Sequence, residues 1–294
     1  MGYADPETIR MLCCVSKQFY DLITNDPGME NNRAIPLLQI SPSEEKGDVG
    51  RLQRLLKQLN QNQNRVQHIR AMKVITGHKF GYYHSDEVER IRKKLRLYGV
   101  VSLDLSSPTK MEFTNYFILT ALRELLPNLR EINLSNTDIQ SYQLEAFGKA
   151  CSLLKKITYN HNSDSWNPNN RQYCGVNMDG NDMSPAKNLR EIYMDDSNFY
   201  SGGALEKFSS LENDEYSDIF LFHKCSKGLE RVSIKNAKNP TFHGEDGIFS
   251  QNVLIKFVRN TPTLKWLRSD LTQDNIEMLQ SEQEQRFSKI EFVQ

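Results

Sequence analysis

Leu129-Arg130-Glu131-Ile132-Asn133-Leu134-Ser135-Asn136 sets the pattern of this chain: apolar side chains stand at offsets 0, 3 and 5 from its first residue. The same frame recurs in Leu189–Asp196, with Leu189, Ile192 and Met194, and in Leu229–Asn236, with Leu229, Val232 and Ile234. Leu154, Ile157 and Tyr159 also fit, as do Ile69, Met72 and Val74, then Val100, Leu103 and Leu105. Near the far end Phe287, Ile290 and Phe292 repeat it, while Leu264, Leu267 and Ser269 keep two of the three apolar positions. A short strand turns alternate side chains to one face, so offsets 3 and 5 share a buried side and offset 0 enters from the preceding bend. Parallel stacking of such units buries one continuous ladder, with atypical units expected at the ends.

The first positions of the eight units are separated by 31, 29, 25, 35, 40, 35 and 23 residues, which leaves room for a helix and two connections in each interval. Helical spacing predicts helices over Phe113 to Leu126, Ile248 to Val258 and, led by Ser85 as N-cap, through Val88, Ile91 and Leu95. The expected fold is therefore α/β: a curved solenoid with one parallel sheet and outer helices over residues 67–294. This pattern resembles the leucine-rich-repeat family, particularly its longer helix-bearing repeats. Asn136 and Asn236 stand near the place of that family's Asn, one position early, and Asp196 holds the same offset.

Two stretches interrupt the repeats. Asn160 to Asn188 is rich in Asn, Asp and Gly and reads as a long polar loop; Ala237 to Gly247 reads as a second excursion. Asn177, Asp179, Gly180 and Asp182 have a superficial likeness to a calcium loop, but placing Gly180 at the sixth position puts Gly175 and Ala186 where acidic ligands belong.

Ahead of the repeats, residues 26–66 read as a helical linker or N-terminal cap, and residues 1–25 as two short helices. Within the latter, Cys14-Val15-Ser16-Lys17-Gln18-Phe19-Tyr20-Asp21-Leu22-Ile23 resembles the final helix of an F-box, and Asp5 to Leu12 the helix before it. The Leu-Pro opening and first helix of that domain have no counterpart. The resemblance to F-box/leucine-rich-repeat proteins implies a substrate-recognition subunit of a cullin-RING ubiquitin ligase, with Leu12, Val15, Phe19 and Leu22 on the adaptor subunit. The alternative is a leucine-rich-repeat scaffold with no ubiquitin role, whose Val15, Phe19 and Leu22 simply close the solenoid.

Composition narrows the function classes. With 37 Lys+Arg against 37 Asp+Glu there is no overall charge to attract nucleic acid or an anionic membrane. A local asymmetry exists: Arg51 to Arg96 carries twelve basic and three acidic residues, most simply the solvated side of helices that bury Leu52, Leu55, Leu56 and Leu59. Five irregularly placed cysteines and no leader or long apolar run point to a cytoplasmic or nuclear protein. Glycine-rich phosphate loops, His-Glu-x-x-His and Gly-x-Ser-x-Gly are absent, so neither catalysis nor a cofactor or metal is expected.

If offsets 0, 3 and 5 are buried, offsets 2, 4 and 6 face a partner. The candidate contacts are Glu131, Asn133, Lys156, Glu191, Tyr193, Asp195, Arg231, Lys235, Trp266 and Arg268. Tyr193 and Trp266 are the expected anchors, and the mixed charges favour a protein over DNA or RNA. A one-residue register slip in the weak Leu264 unit would turn Trp266 into the core.

Overall fold

The computed structural model describes residues 38–40, 61, 69–74, 95–106, 122–137, 139, 141–161, 176–200, 219–240, 246–284 and 289–294. Its strands are β1 (Leu38–Ile40), β2 (Ala71–Val74), β3 (Ser102–Asp104), β4 (Glu131–Asn133), β5 (Lys156–Thr158), β6 (Val176–Asn177), β7 (Glu191–Tyr193), β8 (Phe199–Tyr200), β9 (Arg231–Ser233), β10 (Lys238–Pro240), β11 (Asp246–Ile248), β12 (Trp266–Arg268) and β13 (Glu291–Val293). Nine of them form one sheet in the order β1-β2-β3-β4-β5-β7-β9-β12-β13, every pair parallel. Chain order and spatial order coincide, as they do in an α/β solenoid.

Register follows the sequence frame. Met72, Leu103, Ile132, Ile157, Ile192, Val232 and Leu267 lie side by side, all buried. Offset 5 gives a second buried row, Val74 through Ile234, and Ser269 continues it as a buried hydroxyl. The last unit departs from expectation: Phe292 pairs with Leu267, so it holds offset 3 rather than offset 5. A two-residue shift preserves the inward face, and with no later described strand against it Phe292 is only partly buried. At the other edge, β1 lies within the segment read as a helical linker or cap and extends the sheet by a strand that the frame did not reveal.

The inter-unit connections are built from two recurring hydrogen-bond sets and one recurring corner. Offset 0 donates to the carbonyl three residues earlier, as from Leu129 to Leu126 and from Leu229 to Ser226, closing a turn whose first residue is buried whether it is Leu97, Leu126, Cys151, Ala186, Ser226 or Thr261. Offset 5 donates to the carbonyl at offset 4 of the next unit, as from Leu134 to Thr158. Offset 7 is a left-handed corner: Asn136, His161, Asp196 and Asn236 have φ of 58, 59, 54 and 53°. Asn and Asp tolerate this conformation better than other non-glycine residues, which explains why they recur there.

Behind the sheet lie α1 (Ser141–Ala150), α2 (Gln251–Asn260) and α3 (Gln273–Glu284). α1 buries Leu144 and Phe147; α2 buries Val253, Leu254, Phe257 and Val258, but starts later than predicted because Ile248 belongs to the β10–β11 hairpin. Residues 122–125 are helical, the end of the predicted Phe113 to Leu126 helix. Of the third predicted helix only Leu95, which is buried, falls among the described residues. Before β7 and β9 the described residues form short 3-10 turns, Asn181–Met183 and Ser226–Gly228.

Consequently the second part of the supposed polar loop is core: Val176, Met178, Met183 and Ala186 are buried, and β6 pairs with β8. Gly180, at φ 74°, lets this turn approach Cys225, since a Cβ there would stand 2.7 Å from the sulfur. Nearby, Phe249, Phe199, Phe222 and Phe257 form a run of edge-to-face contacts at 5.1, 5.8 and 5.8 Å between ring centroids.

Candidate functional site

Alternation along each strand delivers offsets 2, 4 and 6 to the face opposite the helices. There Trp266 pairs in register with Arg231, Arg231 with Glu191, and Glu191 with Lys156. Trp266 is half-buried rather than part of the core, so no slip has occurred in its unit.

These strands carry a row of alternating cations and aromatics. The Lys156 ammonium lies 5.0 Å from the Tyr193 ring centroid, Tyr193 meets Trp266 at 6.1 Å with the rings tilted 45°, and the Arg231 guanidinium sits 4.8 Å from the Trp266 centroid. Arg231 Nε donates to the Tyr193 hydroxyl at 3.4 Å, and that hydroxyl donates to Glu191 Oε2 at 3.0 Å. Burial first, then the Glu191 carboxylate, raises the Tyr193 pKa against the pull of Arg231; the phenol stays protonated and available as a donor. The side chains are thus ordered on one another before any partner arrives.

Offset 6 behaves differently. Asp195 is a buried carboxylate, not the exposed contact that strand alternation implies. Its Oδ1 accepts from Ser233 Oγ at 2.6 Å and from the Lys235 amide at 2.8 Å, while Oδ2 takes the Arg268 guanidinium at 2.6 Å. The Asp195 amide donates to Asn160 Oδ1, the Asn160 amide to Ser135 Oγ, and the Ser135 amide to Asn133 Oδ1. This polar spine crosses from β4 to β12 and closes over the sheet's end. Asp195 accordingly moves from the contact set to the scaffold, with Ser135 and Ser233, which are likewise buried.

Glu131 and Arg231 are exposed, and Asn133, Lys156, Glu191, Tyr193, Lys235, Trp266 and Arg268 are partly buried on the same face. Sequence reading missed the pair that fills its other end, Lys73 and Asp104, 2.7 Å apart. Burial pushes the Asp104 carboxyl upward, but Lys73 and the hydroxyl and amide of Ser106 together hold it below its ordinary value. The signal was present in the frame, since both residues hold offset 4. Leu12, Val15, Phe19 and Leu22, the adaptor contacts implied by the F-box resemblance, lie outside the described residues.

Cys151 plugs a turn with its thiol pushed up to about 12 by burial, and the partly buried Cys225 thiol is raised as well. Asp179 and Asp182 accept backbone amides of their own turn, from Asn181 and Asn177, and no cluster suited to a metal ion occurs among the described residues. None of the described helices is long and apolar enough to cross a membrane.

No family model matches this sequence, and the search of curated proteins returns no relative. Among solved structures the chain is similar to an internalin from Listeria monocytogenes, with 13% identity over 80% of this chain and 68% of that one, at a TM-score of 0.31.

Proposed function

We propose that this chain is a protein-interaction scaffold that receives its partner on the open face of β5, β7, β9 and β12. The observation that carries this reading is the Lys156–Tyr193–Arg231–Trp266 row, a half-exposed aromatic and cationic surface on adjacent strands that takes no part in the core. Aromatic and Arg side chains anchor interfaces because they bury large areas at low entropic cost, and here the mutual stacking has already restricted them. To test it, partners captured by the immobilised full chain from its cells of origin are quantified against Tyr193→Ala and Arg231→Glu chains of unchanged melting temperature. Loss of the same partner from both variants is expected; full capture by both, alone and combined, overturns the assignment.

A narrower reading is supported by Cys14–Ile23 and its place ahead of the repeats. On it, the scaffold is the substrate-recognition subunit of a cullin-RING ubiquitin ligase, with residues 1–25 on the adaptor. Co-purification of the full chain and of one lacking residues 1–25 separates the two. Adaptor and cullin recovered only with the full chain support the ligase role, and their absence from both leaves the autonomous scaffold.

A further inference from the structure

The open face carries charges of both signs yet is unequal in what it offers. Toward β7, β9 and β12 its carboxylates are engaged by the protein's own donors, Asp195 by three of them, Asp270 Oδ2 by the Asn236 amide at 2.7 Å and Glu191 by the Tyr193 hydroxyl, while Glu131 and Glu291 are exposed on either side. The cations point out. In the Arg268–Asp195 pair the arginine side chain is 41% exposed and the aspartate 10%. Among the described residues only one guanidinium nitrogen of Arg268 is hydrogen-bonded and no acceptor is hydrogen-bonded to Lys235 Nζ or the Nη atoms of Arg231, although Glu191 and Glu291 act on Arg231 through space. Arg268 pairs with Ser233, which Arg231 precedes by two residues on β9 and Lys235 follows by two beyond it, so three cationic residues flank one small buried hydroxyl, and Arg231 lies over the Trp266 ring.

From this we infer that the partner is an acidic peptide segment, with a carboxylate received between Arg268 and Lys235 and an apolar side chain laid against Trp266. The inference rests on the scaffold reading above and adds the partner's chemistry to it. Asp195 fixes the Arg268 guanidinium through Ser233 and the Lys235 amide, so its remaining N–H groups are oriented at no cost to the partner. A phosphate backbone fits less well. The offset 2 positions, in line with Trp266, include Glu131, Glu191 and Glu291 at intervals across the face, and a polyanion tracking the sheet would meet each of them, whereas a short segment seated at Arg268 meets fewer.

The test is selection of a random dodecapeptide display library on the full chain, with fluorescence anisotropy of the enriched peptides. Asp and Glu are expected to rise about twofold over the input library. Replacing the acidic residues of an enriched peptide by Gln or Asn should weaken it about tenfold, and Arg268→Gln and Arg231→Gln chains should each lose about fivefold. Arg231 is exposed and outside the Asp195 knot, so its variant stays informative even if Arg268→Gln melts early. Enriched peptides without acidic excess, yet lost on Trp266→Ala, overturn the charge inference and leave the scaffold reading standing. Peptides indifferent to Trp266→Ala, or no enriched peptide at all, overturn both. Tighter binding of a U12 oligonucleotide than of any selected peptide overturns the partner class.

Discussion

Ile192 and Tyr193 are neighbours in the chain, yet they stand in two regions of the sheet that obey different rules. On the buried side the row through Ile192 is apolar from Met72 to Leu267 and varies only in shape. On the open side the row through Tyr193 runs Lys73, Asp104, Asn133, Thr158, Tyr193, Ser233 and Arg268, with no common chemistry at all. Stacking requires that inward rows exclude water, because a polar group there loses its hydration without a partner. Nothing in the stacking constrains the outward rows, so what they hold in common must be imposed by something else. Toward β2 and β3 they hold a self-contained ion pair, and toward β9 and β12 stacked aromatic and cationic side chains.

The largest expected effect breaks this comparison most directly. Ile192→Asp places an unpaired carboxylate between Ile157 and Val232 and should cost more than about 4 kcal/mol, enough to unfold the array. Tyr193→Ala, one residue on, should change stability by about 1 kcal/mol at most, since it removes a half-exposed ring. Circular dichroism melting of the two purified variants checks this, and equal losses would mean that both sides of the sheet are core.

Asp195 sharpens the boundary, since alternation assigns it to the open face and burial assigns it to the scaffold. Asp195→Ala strips acceptors from Ser233, the Lys235 amide and Arg268 together, and should cost about 3 kcal/mol. Denaturant melts should show this loss, and Asp195→Asn should recover part of it by keeping one acceptor. A cost below about 0.5 kcal/mol would return Asp195 to the exposed contacts.

The inward rows were legible because burial on a strand leaves a period of two and every unit repeats it. The left-handed corner was half legible, as the Asn and Asp at offset 7, but His161 shares the conformation without the residue type. The turn three residues before each unit left no pattern: Leu97, Cys151, Ser226 and Thr261 have in common only that they fit the same buried site. Burial of Asp195 was equally hidden, since it depends on a hydroxyl 38 residues away and a guanidinium 73 residues away. On the candidate site, alternation put offsets 2 and 4 on the face opposite the buried rows, with Ser233 a buried exception. It could not say which side chains would turn toward each other and which toward solvent.

A third test concerns a polar group held in the core beyond the sheet. Asp182 is buried in the 3-10 turn, and burial, with Asp179 and Glu145 adding to it, raises its pKa from 3.8 to about 6 against the opposing Asn177 amide and Lys224. The folded chain therefore binds this proton more tightly than the unfolded one. Its contribution is most favourable below about pH 4, fades as pH rises through 6, and is an ionised burial penalty at neutral pH. Asp182→Asn should keep the bond from the Asn177 amide and stabilise the protein at pH 7 by about 1–2 kcal/mol, while leaving pH 4 stability nearly unchanged. Melting temperatures across pH 4 to 7 measure it; parallel profiles for the two proteins would show that the turn does not sense this proton.

The smallest effect separates rows set by burial from the row set by backbone. Asn136 holds a φ of 58° while its amide donates to the Asn160 carbonyl at 3.0 Å. Asn136→Ala retains that backbone bond but must hold a Cβ-bearing residue in a conformation that Ala adopts poorly, for a loss of about 1 kcal/mol. Asn136→Gly removes the steric penalty and adds freedom to the unfolded chain, so the two should nearly cancel. Gly more stable than Ala is thus the expected order, the reverse of what holds inside a strand or helix, where Gly costs roughly 0.5–1 kcal/mol against Ala. If Ala equals or exceeds Gly here, the recurrence of Asn and Asp at offset 7 reflects their side-chain bonds, such as Asn236 to Asp196, and not the turn of the chain.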